Sequence, residues 1–130
     1  MPKILVVEDD QDLRFLYKTA LESAGYQVEL ADDGFEALKV VRTHEPDLIL
    51  LDLLLPHMGG MEFLRAYGIA RHPHVKVILL SNLNSPDLLK TAKKLGIKYY
   101  LIKVDSTPKQ MVEYVNRALK ESSQALDPKA

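Results

Sequence analysis

The chain has 130 residues, enough for one domain with a full core, and its 47% apolar and 27% charged residues are ordinary for a globular protein. A formal net charge of -1 gives no strong field toward nucleic acid or an anionic membrane, and we expect direct binding to neither. The absence of cysteine excludes a disulfide framework and a thiolate metal site, no apolar stretch reaches the length of a membrane span, and a cytoplasmic location is the expectation.

Strand and helix patterns alternate along the chain. Lys3–Glu8 is the first strand run, and Ile4-Leu5-Val6-Val7 passes straight into Glu8-Asp9-Asp10. A helix is expected from Gln11 to Ala24, with Asp10 as its N-cap, Gly25 as its stop and a stripe of Leu13, Leu16, Tyr17, Ala20, Leu21 and Ala24. Phe15 lies opposite that stripe, as either a partner contact or an ordinary exposed apolar residue. Gln27–Ala31 alternates and reads as an edge strand, and Asp33 with Glu36 opens a second helix. Leu48-Ile49-Leu50-Leu51 runs straight into Asp52. A third helix is expected over Met61–Arg71. The strand run Lys76–Leu80 leads to Ser81, and Ser85-Pro86 opens a fourth helix that closes before Gly96. Tyr99–Ile102 leads to Lys103, and Thr107-Pro108-Lys109-Gln110 opens a fifth helix with a stripe of Met111, Val115, Ala118 and Leu119. Residues 1–121 form the expected domain, and 122–130 a polar tail or the start of a linker.

Continuous apolar strand runs separated by helices describe a doubly wound parallel α/β sheet. Ligands of such sheets bind beyond the carboxyl ends of the strands, where strand order reverses. The acids cluster at such ends. Neighbouring strands lie roughly 4.8 Å apart, so Glu8, Asp9 and Asp52 would crowd together and repel unless a cation sits among them. A hard divalent ion such as Mg²⁺ suits oxygen ligands and keeps positions open for phosphate. Asp52, after four aliphatic residues, is a poor turn cap and a good candidate nucleophile. Asp9 is the direct metal-ligand candidate, Glu8 a second, and Asp10 a cap. Ser81 and Lys103, at the ends of two further strands, supply a hydroxyl donor and a fixed cation, which phosphoryl transfer requires.

Taken together, Ile4-Leu5-Val6-Val7-Glu8-Asp9-Asp10, Asp52-Leu53-Leu54-Leu55-Pro56-His57-Met58-Gly59-Gly60, Leu80-Ser81-Asn82 and Tyr100-Leu101-Ile102-Lys103 resemble the receiver domain of two-component response regulators over residues 3 to about 121. The resemblance implies a flavodoxin-like fold with strand order 2-1-3-4-5. It implies phosphorylation of Asp52 by a phosphohistidine on a sensor histidine kinase or a histidine phosphotransfer protein. Mg²⁺ would be held by Asp9, Glu8, Asp52 and the backbone carbonyl of Leu54, while Ser81 and Lys103 would hold the phosphoryl oxygens. Tyr100 would turn inward as Ser81 moves, although its residue type alone fits a static core aromatic as well. The chain would then catalyse its own phosphorylation and dephosphorylation without turning over an external substrate. It would control an output protein, or an effector domain outside this sequence, through the fourth helix, fifth strand and fifth helix, as a monomer or a phosphorylation-linked dimer.

Three positions depart from the family pattern. Val104 follows Lys103 where the family usually has a cis-proline; a cis bond before a non-proline costs about 3–4 kcal/mol, so a trans bond is expected. Asn82 stands where a smaller residue is common, and the side chain of Leu54 cannot orient a water. Lys90, Lys93, Lys94 and Lys98 read as a solvated basic face, the four histidines have no expected metal role, and Gly59-Gly60 serves loop geometry. Two other functions compete: a phosphorylation-independent interaction module, and a Mg²⁺-dependent phosphohydrolase, which Leu54 disfavours by leaving no second acid beside Asp52. A flavin carrier is disfavoured by the acidic first loop.

Overall fold

The computed structural model describes residues 1–82, 86–103 and 106–125. The elements run β1 (Lys3–Val7), α1 (Gln11–Ser23), β2 (Gln27–Ala31), α2 (Gly34–Thr43), β3 (Leu48–Asp52), α3 (Gly60–Tyr67), a 3₁₀ turn (Ile69–Arg71), β4 (Lys76–Ser81), α4 (Pro86–Lys94), β5 (Tyr99–Ile102) and α5 (Pro108–Ala125). All pairings are parallel and the strand order is β2-β1-β3-β4-β5, which makes the alternating Gln27–Ala31 run an edge, as expected. Ser85 as a helix cap, the Lys103–Val104 bond and the end of the tail at 126–130 lie outside the described residues.

The strands alternate between two cores. Leu5, Val7, Ile49, Leu51, Val77 and Leu79 point to one face and pack against Ala37, Leu38 and Val41 of α2, Phe63 and Leu64 of α3, and Ala92 of α4. Ile4, Val6, Leu48, Leu50, Ile78 and Leu80 point to the other, against Tyr17 and Leu21 of α1 and Met111, Val115 and Ala118 of α5. Each Val, Leu, Ile, Phe or Met side chain among them contributes about 1.5–3 kcal/mol by leaving water. Burial on both faces is why these runs are apolar without alternation.

Side-chain caps start the helices where the sequence places them. Asp10 accepts from the Leu13 N–H at 3.0 Å, Asp33 from the Glu36 N–H at 2.9 Å, and Thr107 and Gln110 exchange bonds at 2.9 and 3.1 Å. Three expectations are corrected. Ala24, expected on the buried stripe of α1, is exposed as the C-cap beyond the last helical residue, Ser23. The third helix closes at Tyr67 instead of Arg71, because Gly68 takes a left-handed φ of 73° and the chain continues as the 3₁₀ turn. Leu16 is 46% exposed, because the buried line of α1 runs through Tyr17 and Leu21 and leaves Leu16 at its margin.

Candidate functional site

The strand order reverses between β1 and β3, and the register pairs Val7 with Leu51. The next residues, Glu8 and Asp52, are therefore neighbours at the carboxyl ends of the two central strands. One carboxylate oxygen from each of Glu8, Asp9 and Asp52 lies within 4.8 Å of the others. Glu8 is fully buried, Asp52 is 4% exposed, and Asp9 faces solvent. The loop that carries the acids is pinned by its backbone. The Glu8 N–H donates to the Ala31 carbonyl at 3.1 Å, and the Arg14 guanidinium donates to the carbonyls of Glu8 and Asp9 at 2.7 and 3.4 Å. Asp10 stays on α1 as its cap, outside the acid cluster.

Lys103 enters this cluster from the end of β5. Its Nζ donates to Asp52 Oδ2 at 3.2 Å and lies 2.8 Å from Glu8 Oε1. The second contact is a buried ion pair, and apart from it Glu8 Oε1 has no hydrogen-bond partner. Glu8 Oε2 accepts from the Asp10 N–H at 3.1 Å, and Asp52 Oδ1 from the Leu54 N–H at 3.2 Å. Burial pushes the Glu8 carboxyl from its usual 4.5 up to about 7, and the nearby Asp52 charge adds to this, while Lys103 and the Asp10 N–H oppose it. Burial alone would lower the Lys103 ammonium, but Glu8 and Asp52 outweigh it and hold the group above its ordinary value.

Two buried carboxylates facing one ammonium leave a negative, oxygen-lined place with an under-satisfied acceptor in it. That donor set, all oxygen and part of it exposed through Asp9, fits a hard divalent cation and offers nothing to a thiophilic one.

The remaining predicted residues fall around it. Ser81 ends β4, is 1% exposed, and lies in register with Ile102, the residue before Lys103. Asp52 pairs with Leu80, which sets Ser81 one position further along the neighbouring strand. Tyr100 is half-buried and packs against the core of α2, α3 and α4. The side chain of Leu54 is turned to solvent, so only its backbone addresses the site. Asn82 is exposed beside Ser81, and Phe15 is exposed on α1. Lys90, Lys93, Lys94 and Lys98 are all exposed, as expected of a solvated face.

The sequence reading missed Arg14 and underrated Gly60. Arg14 is found by asking which cation on the first turn of α1 can reach back to the acidic loop. The Gly60 N–H donates to the Leu53 carbonyl at 3.2 Å, and a Cβ there would sit 2.8 Å from the Asp52 carbonyl oxygen and 3.1 Å from Leu53 Cα. Gly60→Ala is expected to cost about 1–3 kcal/mol, as overpacking does, because both obstacles are backbone. Chemical denaturation checks this, and a variant as stable as wild type would show that the close approach imposes no constraint.

No helix among the described residues is long and apolar enough to cross a membrane. The family model described as "Response regulator receiver domain" matches residues 4–116. The chain is 34% identical over 94 residues to sporulation initiation phosphotransferase F of Bacillus subtilis, covering 72% of this chain and 75% of that protein. It is 34% identical over 103 residues to the CAI-1 autoinducer sensor kinase/phosphatase CqsS of Vibrio cholerae, covering 78% of this chain but only 15% of that protein's length. Among solved structures, the chemotaxis response regulator CheY4 of Vibrio cholerae superposes with a TM-score of 0.83 at 31% identity, over 92% of this chain and 99% of that one.

Proposed function

This chain belongs to the response regulator receiver domain family, and we propose that Asp52 takes a phosphoryl group from a phosphohistidine on a sensor histidine kinase or histidine phosphotransfer protein. Phosphorylation switching is the function of the family. The observation that carries the assignment to Asp52 is the convergence of Glu8, Asp9, Asp52 and Lys103 where strand order reverses.

In this reading Asp9, Glu8, Asp52 and the carbonyl of Leu54 hold Mg²⁺, which supplies charge neutralisation for the acids and the incoming phosphoryl oxygens. The Leu54 N–H fixes Asp52 Oδ1 and leaves Oδ2 toward Lys103. An Asp52 oxygen attacks phosphorus, the P–N bond to the donor imidazole breaks, and the electron pair leaves with the imidazole, giving an acyl phosphate on Asp52. Lys103 exchanges its carboxylate contact for a phosphoryl oxygen, and the Ser81 hydroxyl donates to another. A group carrying about -1.5 to -2 charge can draw both only if they move, and Tyr100 follows into the space that Ser81 leaves. The altered face of α4, β5 and α5 then meets the output protein, coupled to the site by about 1–3 kcal/mol. Water attack on the acyl phosphate resets the switch, so the chain catalyses its own phosphorylation and dephosphorylation. Residues 1–121 serve as the receiver and 122–130 as a tail or linker, Phe15 is a candidate kinase contact, and the cytoplasm is the compartment where a phosphohistidine donor would be met.

The test is intact-mass analysis after incubation with acetyl phosphate and Mg²⁺, with an EDTA control and peptide mapping. One adduct that requires Mg²⁺ and maps to Asp52 is expected. A protein that binds Mg²⁺ and takes no adduct would instead be a phosphorylation-independent interaction module.

A further inference from the structure

The loop from β3 to α3 contains a strained turn that the chemistry above does not use. His57 has φ 64°, the left-handed region, and is the one non-glycine there among the described residues. Across it the Met58 N–H donates to the Pro56 carbonyl at 2.6 Å. An i to i+2 bond around a residue of positive φ is the rare, strained form of γ-turn. Strain at such a position persists only where other contacts impose it.

Those contacts come from the N-terminus of α2. His57 Nδ1 lies 3.0 Å from Asp33 Oδ2, and the Gly34 N–H donates to the Met58 carbonyl at 3.1 Å. A Cβ at Gly34 would lie 2.6 Å from both the Met58 carbonyl oxygen and Cγ, so this approach requires glycine. Asp33 thus has two tasks: Oδ1 caps α2 through the Glu36 N–H, and Oδ2 faces the imidazole. The Glu36 N–H, with His57 adding to it, holds the Asp33 carboxyl below its usual range. Three residues before His57 in the same loop stands Leu54, whose N–H holds Asp52 Oδ1.

We propose that Asp33 and His57 form a positioning pair for the phosphorylation site, tethering the β3–α3 loop to α2 so that the Leu54 backbone stays aligned with Asp52 and the cation. The inference rests on the reading that Glu8, Asp9, Asp52 and Leu54 hold Mg²⁺. The Asp33 side chain is 14% exposed but that of His57 is 69% exposed, and an ion pair with one partner in water adds little to global stability. Its contact opposes local turn strain, so it acts on where the loop sits and leaves the fold as it is.

Three variants isolate the tether. His57→Gly accepts the left-handed backbone and loses the imidazole. Asp33→Ser keeps an N-cap oxygen, since Ser caps as well as Asp, but is too short to reach His57. His57→Asn tolerates positive φ and offers Asp33 a donor. Mg²⁺ affinity is measured by calorimetry without a phosphodonor, amide exchange at Gly34 and Met58 in the metal-free protein, and phosphorylation separately by mass. His57→Gly and Asp33→Ser are each expected to weaken Mg²⁺ binding by about tenfold, at the low end of what losing a group bonded directly to a ligand costs, because the pair acts on the ligands through the loop backbone. Both should speed exchange at the two amides while the unfolding midpoint stays within about 2 °C of wild type. The double variant should shift no further than either single one, and His57→Asn should recover most of the affinity. Affinities within about twofold of wild type in both single variants, or additive losses in the double one, would overturn the pair. A wild type that binds no Mg²⁺ overturns both the pair and the metal reading, whereas one that binds Mg²⁺ without accepting phosphoryl overturns the phosphorylation reading alone.

Discussion

Asp52→Asn is expected to abolish the phosphoryl adduct and, in the same protein, to raise the melting temperature of the metal-free form. The first effect follows from chemistry: an amide oxygen is no nucleophile toward phosphorus, and in the proposed reading Glu8 and Asp9 hold the cation. The second follows from charge. Glu8 and Asp52 are both buried and share one ammonium, at 2.8 and 3.2 Å. Removing one acid leaves a balanced pair of Glu8 and Lys103, while the amide oxygen keeps its bond to the Leu54 N–H. An uncompensated buried charge costs several kcal/mol, and relief net of the lost Lys103 contact is expected to stabilise by about 1–2 kcal/mol, or roughly 3–8 °C. Thermal melts in EDTA and in Mg²⁺, run beside intact mass, check both, and the Mg²⁺-induced gain should shrink in the variant. A lower melting temperature in EDTA would mean that Asp52 holds Lys103 for structural reasons. An adduct persisting in the variant would move the phosphoacceptor elsewhere.

The opposed signs explain which parts of the site could be read from one sequence. A carboxylate directly after Leu48-Ile49-Leu50-Leu51, with no polar residue before it, is poorly solvated and a poor turn cap, so Asp52 declares itself locally. Glu8 and Asp9 do the same after Ile4 to Val7. Which strands adjoin is a different kind of fact. Nothing in the first or third strand run specifies its neighbour, and the order 2-1-3-4-5 came from likeness to a family. Contacts across long sequence gaps were invisible for the same reason. Lys103 reaches Glu8 over 95 positions, so its pairing with two carboxylates in the resting protein leaves no trace in the local sequence around either residue. Asp33 and His57 meet only because Gly34 lets α2 approach the loop, a close packing that leaves no periodic trace. Arg14 was passed over because a basic residue early in a helix is ordinary. Leu16 misled for the converse reason: it sits at helical spacing, yet the buried face of α1 is narrower than the stripe.

Lys103→Met should destabilise the metal-free protein in a strongly pH-dependent way, by little near pH 5 and by about 3–5 kcal/mol near pH 8. The Glu8 carboxyl stands at about 7 in the folded protein against a usual 4.5. A carboxyl raised on folding binds its proton more tightly when native. Its favourable contribution is therefore complete below about 4.5 and is lost as pH rises through about 7. The wild type in EDTA should accordingly melt progressively lower across that window. Lys103 is the charge that limits the loss, through its contact with Glu8. Methionine keeps much of the apolar stem and removes the charge, so Glu8 should rise further and the decline should continue to higher pH. Mg²⁺ should restore most of the lost stability, because it offers the same carboxylates a cation. Phosphorylation should persist, since Asp52 remains, but about a hundredfold more slowly, the usual cost of losing one preorganised donor to a developing charge. Melts across pH with EDTA or Mg²⁺, and adduct formation over time, check these outcomes. A deficit equal at both pH values would trace the loss to packing around the stem, and a deficit that Mg²⁺ leaves untouched would separate the cation site from Lys103. The combination expected here would make Lys103 and the metal alternative partners of the same acids, so that the resting protein would already hold, in its own ammonium, the charge that the proposed reaction turns toward the phosphoryl group.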